Sequence, residues 1–320
     1  MIPDASIVED LKVVLATQGV AARYTSGPIW DREITQAVRP TTLKIKEGET
    51  LGLVGESGSG KTTLGRLCLG LIKASEGEIL FEGQIIGPKR KPPPGQLSVV
   101  LQQPEWALNP RLKVSTSVSE PLVILGESNS NKVKDQIAEM LELVGLDATY
   151  LDRYPDQLSG GQRQRVAIAR ALVTRPRFIV FDEAVSALDV SVQTQVLNLI
   201  KDLQEKYGFS ALFISHDLAV TRYVSHRMAV MYSGQLVEIG PTKNFYEDPK
   251  HPYSKALNIL GNNRVDEEWT LKGGHIELSD EGCLLRDRCR WCIDICRRNM
   301  PVLTEFGNGS VACHRVADLP

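Results

Sequence analysis

The sequence has no long apolar run. No stretch approaches the roughly 18 consecutive apolar residues that a membrane-spanning helix needs. The first ten residues, Met1–Asp10, carry acidic side chains and lack the basic and apolar regions of a secretory leader. We therefore expect a cytosolic protein, so that any membrane role must come through a partner.

A strong charge of either sign is also missing. The 37 Lys and Arg side chains nearly balance the 39 Asp and Glu side chains, which gives a formal net charge of −2. Broad electrostatic binding of nucleic acid or anionic lipid needs a basic surface. We therefore expect no nucleic-acid partner. The apolar fraction of 42% is that of an ordinary globular protein with a substantial core.

Cysteine is scarce except near the end of the chain. Cys68 stands alone in the apolar run Leu67–Leu69, where it is expected to be a small core residue. The other five follow close together: Cys283, Cys289, Cys292, Cys296 and Cys313. In a reducing compartment such a group indicates a metal site before a disulfide framework.

The pattern between about residues 10 and 246 is typical of an α/β domain, because short β-branched runs alternate with helical stretches. Four apolar runs predict buried strands: Leu51–Val54, Ser98–Leu101, Phe178–Phe181 and Ala211–Ile214. A mostly helical insertion is predicted over about 103–170. We therefore divide the chain into an α/β domain, 1–246, and a cysteine-rich extension, 247–320. The strand pattern ends after Gly240.

The segment 55–62, Gly-Glu-Ser-Gly-Ser-Gly-Lys-Thr, fits the phosphate-loop pattern between a strand and a helix. Its glycines let successive amides point at phosphate oxygens, and the following helix N-terminus adds favourable partial charge. Lys61 is expected to reach the β- and γ-phosphates, and Thr62 to ligate Mg²⁺. The nucleotide-binding candidates are Gly55, Glu56, Ser57, Gly58, Ser59, Gly60, Lys61, Thr62 and Thr63.

Two carboxylates follow the apolar strand 178–181, at the edge where open α/β sheets bind ligands. Asp182 is the candidate Mg²⁺ ligand, and Glu183 is the candidate general base that orients the attacking water. The plainer alternative is that both acids cap the next helix.

The sequence Leu158-Ser-Gly-Gly-Gln162 opens a predicted helix, so that a hydroxyl, amides and a helix N-terminus converge on an anion. Here the chain resembles the ABC ATPase family, with an ATPase domain, a helical subdomain and a small extension. The resemblance implies that two subunits sandwich two ATP molecules head to tail. The residues that would then contact the partner's ATP are Ser159, Gly160, Gly161, Gln162 and Asp189.

Further family landmarks follow in the expected order. Gln102 matches the glutamine that contacts ATP and Mg²⁺ next to the permease, Ser186–Asp189 matches the dimer-contact loop, and His216 matches the histidine at the γ-phosphate. One landmark departs, because the first strand has no aromatic residue to stack on adenine. Tyr24 or Trp30 is a substitute from the loop that follows.

The tail resembles that of oligopeptide, dipeptide and nickel importers, through the segment His251–Leu257 and the spacing of the cysteines. In that group the cysteines of some members hold a [4Fe–4S] cluster, here implied for Cys283, Cys289, Cys296 and Cys313. Zinc, or unliganded or disulfide-bonded cysteines, are the alternatives. The arginines among the cysteines either offset thiolate charge or are solvated, namely Arg286, Arg288, Arg290, Arg297 and Arg298.

The resemblance implies an ATP- and Mg²⁺-dependent ATPase subunit that energises an ABC importer for peptides or a related small solute, such as nickel or an oligosaccharide. Its implied partners are a second ATPase subunit, a paralogue rather than an identical copy, two transmembrane permease subunits and, indirectly, a solute-binding protein. Its implied place is the cytoplasmic face of the cell membrane. The alternative is a soluble ABC ATPase that acts on nucleic acid or ribosomes.

Overall fold

A computed structural model describes residues 11–27, 32–127, 130–261, 271 and 281–319. The strands are β1 (Val13–Ser26), β2 (Glu33–Lys46), β3 (Thr50–Val54), β4 (Glu76–Phe81), β5 (Gln84–Ile86), β6 (Leu97–Val100), β7 (Phe178–Asp182), β8 (Ser210–Ile214), β9 (Arg227–Tyr232), β10 (Gln235–Pro241), β11 (Thr304–Phe306) and β12 (Gly309–Val311). The helices are α1 (Lys61–Cys68), α2 (Val114–Ile124), α3 (Ser130–Leu143), α4 (Gly160–Leu172), α5 (Val190–Tyr207), α6 (Leu218–Val224), α7 (Thr242–Glu247), α8 (Pro252–Gly261) and α9 (Asp294–Arg298).

The larger sheet has the strand order β11-β12-β10-β9-β3-β8-β7-β6. Strands β9, β3, β8, β7 and β6 run parallel, so the loops that follow them emerge at one edge. The four strands predicted from apolar runs are confirmed as β3, β6, β7 and β8. Strands β3 and β8 are buried at every residue, as expected for central parallel strands covered on both faces.

A second, antiparallel sheet has the order β2-β1-β4-β5 and packs on the first. Its apolar residues share one buried cluster with α1 and with β3 of the larger sheet, in which Leu15, Ile45, Leu64 and Cys68 are completely buried. Cys68 is therefore a core residue, as predicted. Burial also raises the pKa of its thiol to about 12, so the thiol stays protonated.

The predicted helical insertion is formed by α2, α3 and α4, which pack with β6, β7 and α5 in another cluster. On α3, the apolar side chains of Ile137, Met140 and Leu141 recur at helical spacing and are buried. Helix α3 begins at Ser130. Among the described residues, no helix combines the length and the apolar character needed to cross a membrane.

The extension is built onto the α/β core. Strands β11 and β12 form a hairpin, and β12 pairs with β10 at the edge of the larger sheet, Glu238 opposite Val311 and Ile239 opposite Ser310. The expectation that strands end after Gly240 is therefore wrong. The two new strands have three residues each, too short for a visible apolar alternation. Leu284 and Leu285 add a buried contact with Tyr232 and Tyr253.

Candidate functional site

The phosphate loop lies between β3 and α1. Three of its glycines have positive φ angles: 152° at Gly55, 78° at Gly58 and 101° at Gly60. A Cβ atom at Gly55 would lie 2.1 Å from the carbonyl oxygen of Met231, and one at Gly60 would lie 2.1 Å from that of Ala37. Both positions therefore require glycine, for conformation and for space.

The Lys61 side chain lies inside this loop, only 5% exposed. Its Nζ donates to the carbonyl oxygens of Gly55 and Glu56, at 2.8 Å each. Burial lowers the pKa of Lys61, and the carboxylates of Glu183, Asp182 and Glu56 oppose that shift. The loop thus holds an ammonium group where phosphate oxygens can replace carbonyl oxygens as its partners.

The magnesium candidates meet between α1 and the end of β7. Thr62 Oγ1 donates to Asp182 Oδ1 at 3.0 Å, and burial raises the pKa of Asp182, a shift opposed by that hydrogen bond. Mg²⁺ commonly takes one or two protein carboxylates together with waters and substrate phosphates. An adjacent hydroxyl and carboxylate beside a phosphate loop therefore fit the ion that accompanies ATP.

Glu183 and His216 follow β7 and β8 at the same edge. His216 Nδ1 lies 3.3 Å from Glu183 Oε2. Glu183 has a φ of +51°, and its amide donates to Ile214 O at 3.0 Å. A non-glycine residue in this conformation is held there by its surroundings, as is common at functional sites. Helix α5 is instead capped by Asp189, so the alternative of Asp182 and Glu183 as helix caps is wrong.

Gln102 is connected to Glu183 through a serine whose role the sequence did not reveal. Gln102 Nε2 donates to Ser186 Oγ at 3.3 Å, and Ser186 Oγ donates to the carbonyl oxygen of Glu183 at 2.9 Å. Sequence reasoning placed Ser186 only in a dimer-contact loop. The geometry adds a link between the loop after β6 and the candidate general base.

The second candidate anion-binding end lies at the start of α4, where Ser159 is exposed. Ser159 Oγ accepts from the Gln162 amide at 3.3 Å, and Gln162 Oε1 accepts from the Ser159 amide at 2.9 Å, a capping box. Because the Ser159 hydroxyl is an acceptor in this pair, its own proton remains available to an anion.

The remaining residues predicted to act across a dimer lie nearby. A Cβ atom on Gly161 would lie 2.5 Å from Val192 Cγ1, so α4 begins tightly against the first turn of α5. Asp189 accepts from the Val192 amide and from Ser191 Oγ, at 2.9 Å each, and these bonds lower the pKa of Asp189. The structure therefore brings the start of α4 and Asp189 together on one surface.

The adenine platform stays a prediction. Tyr24, expected in the loop after the first strand, instead lies within β1, where it is 43% exposed opposite Thr35 of β2. Strand β2 reaches the phosphate loop two residues later, at Ala37. Trp30, the other candidate, lies outside the described residues.

The five late cysteines converge as predicted. They line one small cavity together with His251, Trp291 and His314, and all are free thiols. Burial, reinforced by the neighbouring cysteines, raises the pKa of Cys283 to about 12 and that of Cys289 to about 11. Within the described ranges, however, no group of three or more His, Cys, Asp or Glu side chains is arranged to hold a metal ion.

One set of contacts was missed by sequence reasoning. Glu56 of the phosphate loop pairs with Arg288 of the extension at 3.2 Å, and its amide donates to Tyr253 Oη at 2.9 Å. The expectation that Arg288 is solvated or offsets thiolate charge is therefore wrong, because its partner is Glu56. No local sequence pattern could pair residues more than 190 positions apart.

Comparison with known proteins agrees with this geometry. Residues 38–186 match the ABC transporter family, and residues 237–296 match the C-terminal region of oligopeptide/dipeptide transporters. A peptide import ATP-binding protein of Brucella abortus strain 2308 is 46% identical, over 96% of both chains. The oligopeptide transport ATP-binding protein OppF of Haemophilus influenzae is 40% identical, over 88% of this chain and 89% of its own.

Among solved structures, the ATP-binding cassette MJ0796, dimeric in a post-hydrolysis state with ADP and Pi, is 30% identical with a TM-score of 0.63. It covers 71% of this chain and 98% of its own. The fold and the site thus define an ABC-type ATPase. The chain belongs to the ABC transporter family, in the branch with the oligopeptide/dipeptide C-terminal region. It is the subunit that binds and hydrolyses ATP to energise an importer; a soluble role on nucleic acid or ribosomes is not favoured.

Proposed function

We propose that the importer energised by this chain carries peptides, with nickel and short oligosaccharides as related alternatives. The names of the two relatives support peptides. The observation that carries the motor assignment is the meeting of Lys61, Asp182, Glu183 and His216 at one sheet edge. Cargo selection is assigned to the permease and the solute-binding protein.

Within one subunit, Lys61 and the amides of residues 55–63 other than that of Glu56, which donates to Tyr253, would bind the ATP phosphates. Thr62, Asp182 and Gln102 would hold Mg²⁺, which offsets phosphate charge when bound. Glu183 would orient and deprotonate the attacking water, and His216, 3.3 Å away, would contact the γ-phosphate and steady the carboxylate. Ser186, which is hydrogen-bonded to both residues, would couple a movement of Gln102 to Glu183.

ATP would also be contacted from a second subunit. The exposed start of α4, with Ser159, Gly160, Gly161, Gln162 and the nearby Asp189, supports this arrangement. The partner is proposed to be a paralogue rather than an identical copy.

The division of the chain into a domain at 1–246, with a helical insertion at 103–170, and an extension at 247–320 stays a prediction. The β12–β10 pairing makes the extension part of the motor's own sheet.

The assembly is proposed to lie at the cytoplasmic face of the cell membrane, with permease subunits docked near Gln102 and the helical insertion. Purification of the chain from host membranes in mild detergent should recover two multi-spanning permease subunits, a second ATPase and a solute-binding protein, identified by mass spectrometry. A tagged cytosolic ATPase of another fold serves as the control. Recovery of ribosomes or DNA-repair factors instead would contradict the transport assignment.

The cysteine cavity is proposed to hold a [4Fe–4S] cluster on Cys283, Cys289, Cys296 and Cys313. Its lining by thiols supports the ligand type. A tetrahedral zinc ion needs four sulfurs at about 2.3 Å from one centre. The described residues show no such gathered group.

Anaerobically purified protein should contain about four iron and four sulfide per chain and absorb in the visible range. Cys283→Ser, Cys289→Ser, Cys296→Ser and Cys313→Ser should each lower the iron content. Cys292→Ser, in the same cavity, and Cys68→Ala, in the core, are matched controls that should retain it. Zinc without iron in the wild-type protein would refute the cluster.

A further inference from the structure

The extension reaches the nucleotide site of its own subunit through Glu56. The Arg288 Nη1 atom lies 3.2 Å from both carboxylate oxygens of Glu56, and Nη2 lies 3.2 Å from Oε1. The Glu56 amide donates to Tyr253 Oη at 2.9 Å, and its carbonyl oxygen accepts from Lys61 Nζ at 2.8 Å. The carboxylate, amide and carbonyl groups of Glu56 are therefore all hydrogen-bonded, and the partners of the carboxylate and the amide lie beyond residue 246.

These two contacts are themselves fixed by packing. Tyr253 is completely buried, and its ring lies 4.6 Å from that of Tyr232. Arg288 Nη1 also donates to Tyr232 Oη at 3.4 Å. Tyr232 ends the strand whose preceding residue, Met231, lies against Gly55. The phosphate loop thus rests on a small polar and aromatic layer supplied by β9, α8 and the turn at 288.

The phosphate loop works by the orientation of its amides, which must point inward at the phosphates. The Glu56 amide points instead at Tyr253, which fixes the peptide plane directly after Gly55. The Arg288 guanidinium holds both carboxylate oxygens of Glu56 and so anchors this loop residue on the extension. Both contacts therefore prepare the loop for an anion before the anion arrives.

We propose that Arg288 and Tyr253 are positioning residues of the ATP site, so that the cysteine-rich extension completes the nucleotide site of its own subunit. The proposal rests on the phosphate-loop assignment of residues 55–62. Arg288 precedes Cys289, and the amides of both residues bond to the Leu285 carbonyl, at 3.0 and 2.9 Å. The same turn thus supplies Arg288, which contacts the phosphate loop, and Cys289, which lines the cysteine cavity.

The first test uses Arg288→Met and Glu56→Gln. The affinity of the full chain for MgATP should fall, and the KM of the assembled transporter should rise, each about two- to fivefold, because half-exposed ion pairs contribute modestly. The kcat should change by less than about twofold, since neither side chain acts on the reacting water. The double variant should bind MgATP no more weakly than the weaker of the two single variants, because both substitutions remove the same ion pair.

Tyr253→Phe keeps the aromatic packing against Tyr232 and removes only the acceptor of the Glu56 amide. It should raise the KM for ATP about fivefold or more, because it leaves a loop amide without its partner. Arg288→Lys keeps the charge without the forked geometry and should recover part of the affinity lost in Arg288→Met. Arg290→Met changes an exposed arginine two residues away and is the matched control.

Unchanged affinity in both Arg288→Met and Tyr253→Phe would overturn the proposal, as would an equal loss in Arg290→Met. A selective fall in kcat would also overturn it. Melting curves ensure that the variants compared are folded. Lys61→Ala distinguishes failure of this proposal from failure of the phosphate-loop assignment. If Lys61→Ala binds MgATP normally, the phosphate-loop assignment itself is wrong. If Lys61→Ala loses binding while the Arg288 and Tyr253 variants bind normally, only the positioning role is refuted.

Discussion

Glu183→Gln should bind ATP with near-normal affinity and hydrolyse it at least about 100-fold more slowly. The amide has the size of the carboxylate and can still hydrogen-bond a water, but it cannot accept the proton of the attacking water. His216, whose Nδ1 lies 3.3 Å from the carboxylate, can remain beside the substituted side chain. Phosphate release by the assembled transporter and equilibrium binding of MgATP measure the two effects separately.

The matched control for this substitution is Glu205→Gln on α5, which makes the same chemical change at an exposed position. Its hydrolysis rate should stay within about twofold of the wild-type rate. An undiminished rate in Glu183→Gln would remove Glu183 from the catalytic assignment. Lost ATP binding in that variant would instead make Glu183 a binding or structural residue.

Lys61→Ala should lower the affinity for MgATP by at least about 30-fold, because truncating one partner of a buried charge pair is costly. The variant loses the ammonium group of Lys61, which donates to Gly55 O and Glu56 O inside the loop. Hydrolysis should fall with binding. Titration with a fluorescent ATP analogue gives the dissociation constant, and melting curves show whether the loop's loss of this side chain affects folding.

Lys73→Ala is the control for this second substitution, since Lys73 is exposed shortly after α1. It should bind MgATP as the wild-type chain does. Normal binding by Lys61→Ala would show that the loop at 55–62 is not the phosphate site, and it would remove the basis for the roles of Thr62 and Asp182 as well.

Much of the site could be predicted because it depends on short segments and on one property of parallel sheets. Loops that follow parallel strands emerge at one edge, so motifs after β3, β7 and β8 must meet even though they lie far apart in the chain. Lys61 was predicted from the phosphate-loop pattern, Asp182 from its place after a buried strand, and His216 from the family resemblance. The capping box at Ser159 and Gln162 is likewise readable from four consecutive residues.

The parts that could not be predicted depend on contacts between distant and unpatterned residues. Arg288 is one of several arginines among the cysteines, and nothing local marks it as the partner of Glu56. Strands β11 and β12 are too short to show an apolar period. The sequence indicated that the cysteines would gather, but not how closely, because that distance is set by the packing of Leu284, Leu285 and Tyr253 on β9 and β10.

The hairpin of β11 and β12 determines where the chain can be truncated without exposing a sheet edge. Composition places a boundary at residue 246, and a chain truncated there would keep every ATP-binding motif. It would also lose β12 from β10, which leaves the Glu238–Ile239 edge as an unpaired strand, open to pairing with other chains. The extension therefore covers an edge that would otherwise favour aggregation, and its removal should lower solubility as well as weaken ATP binding.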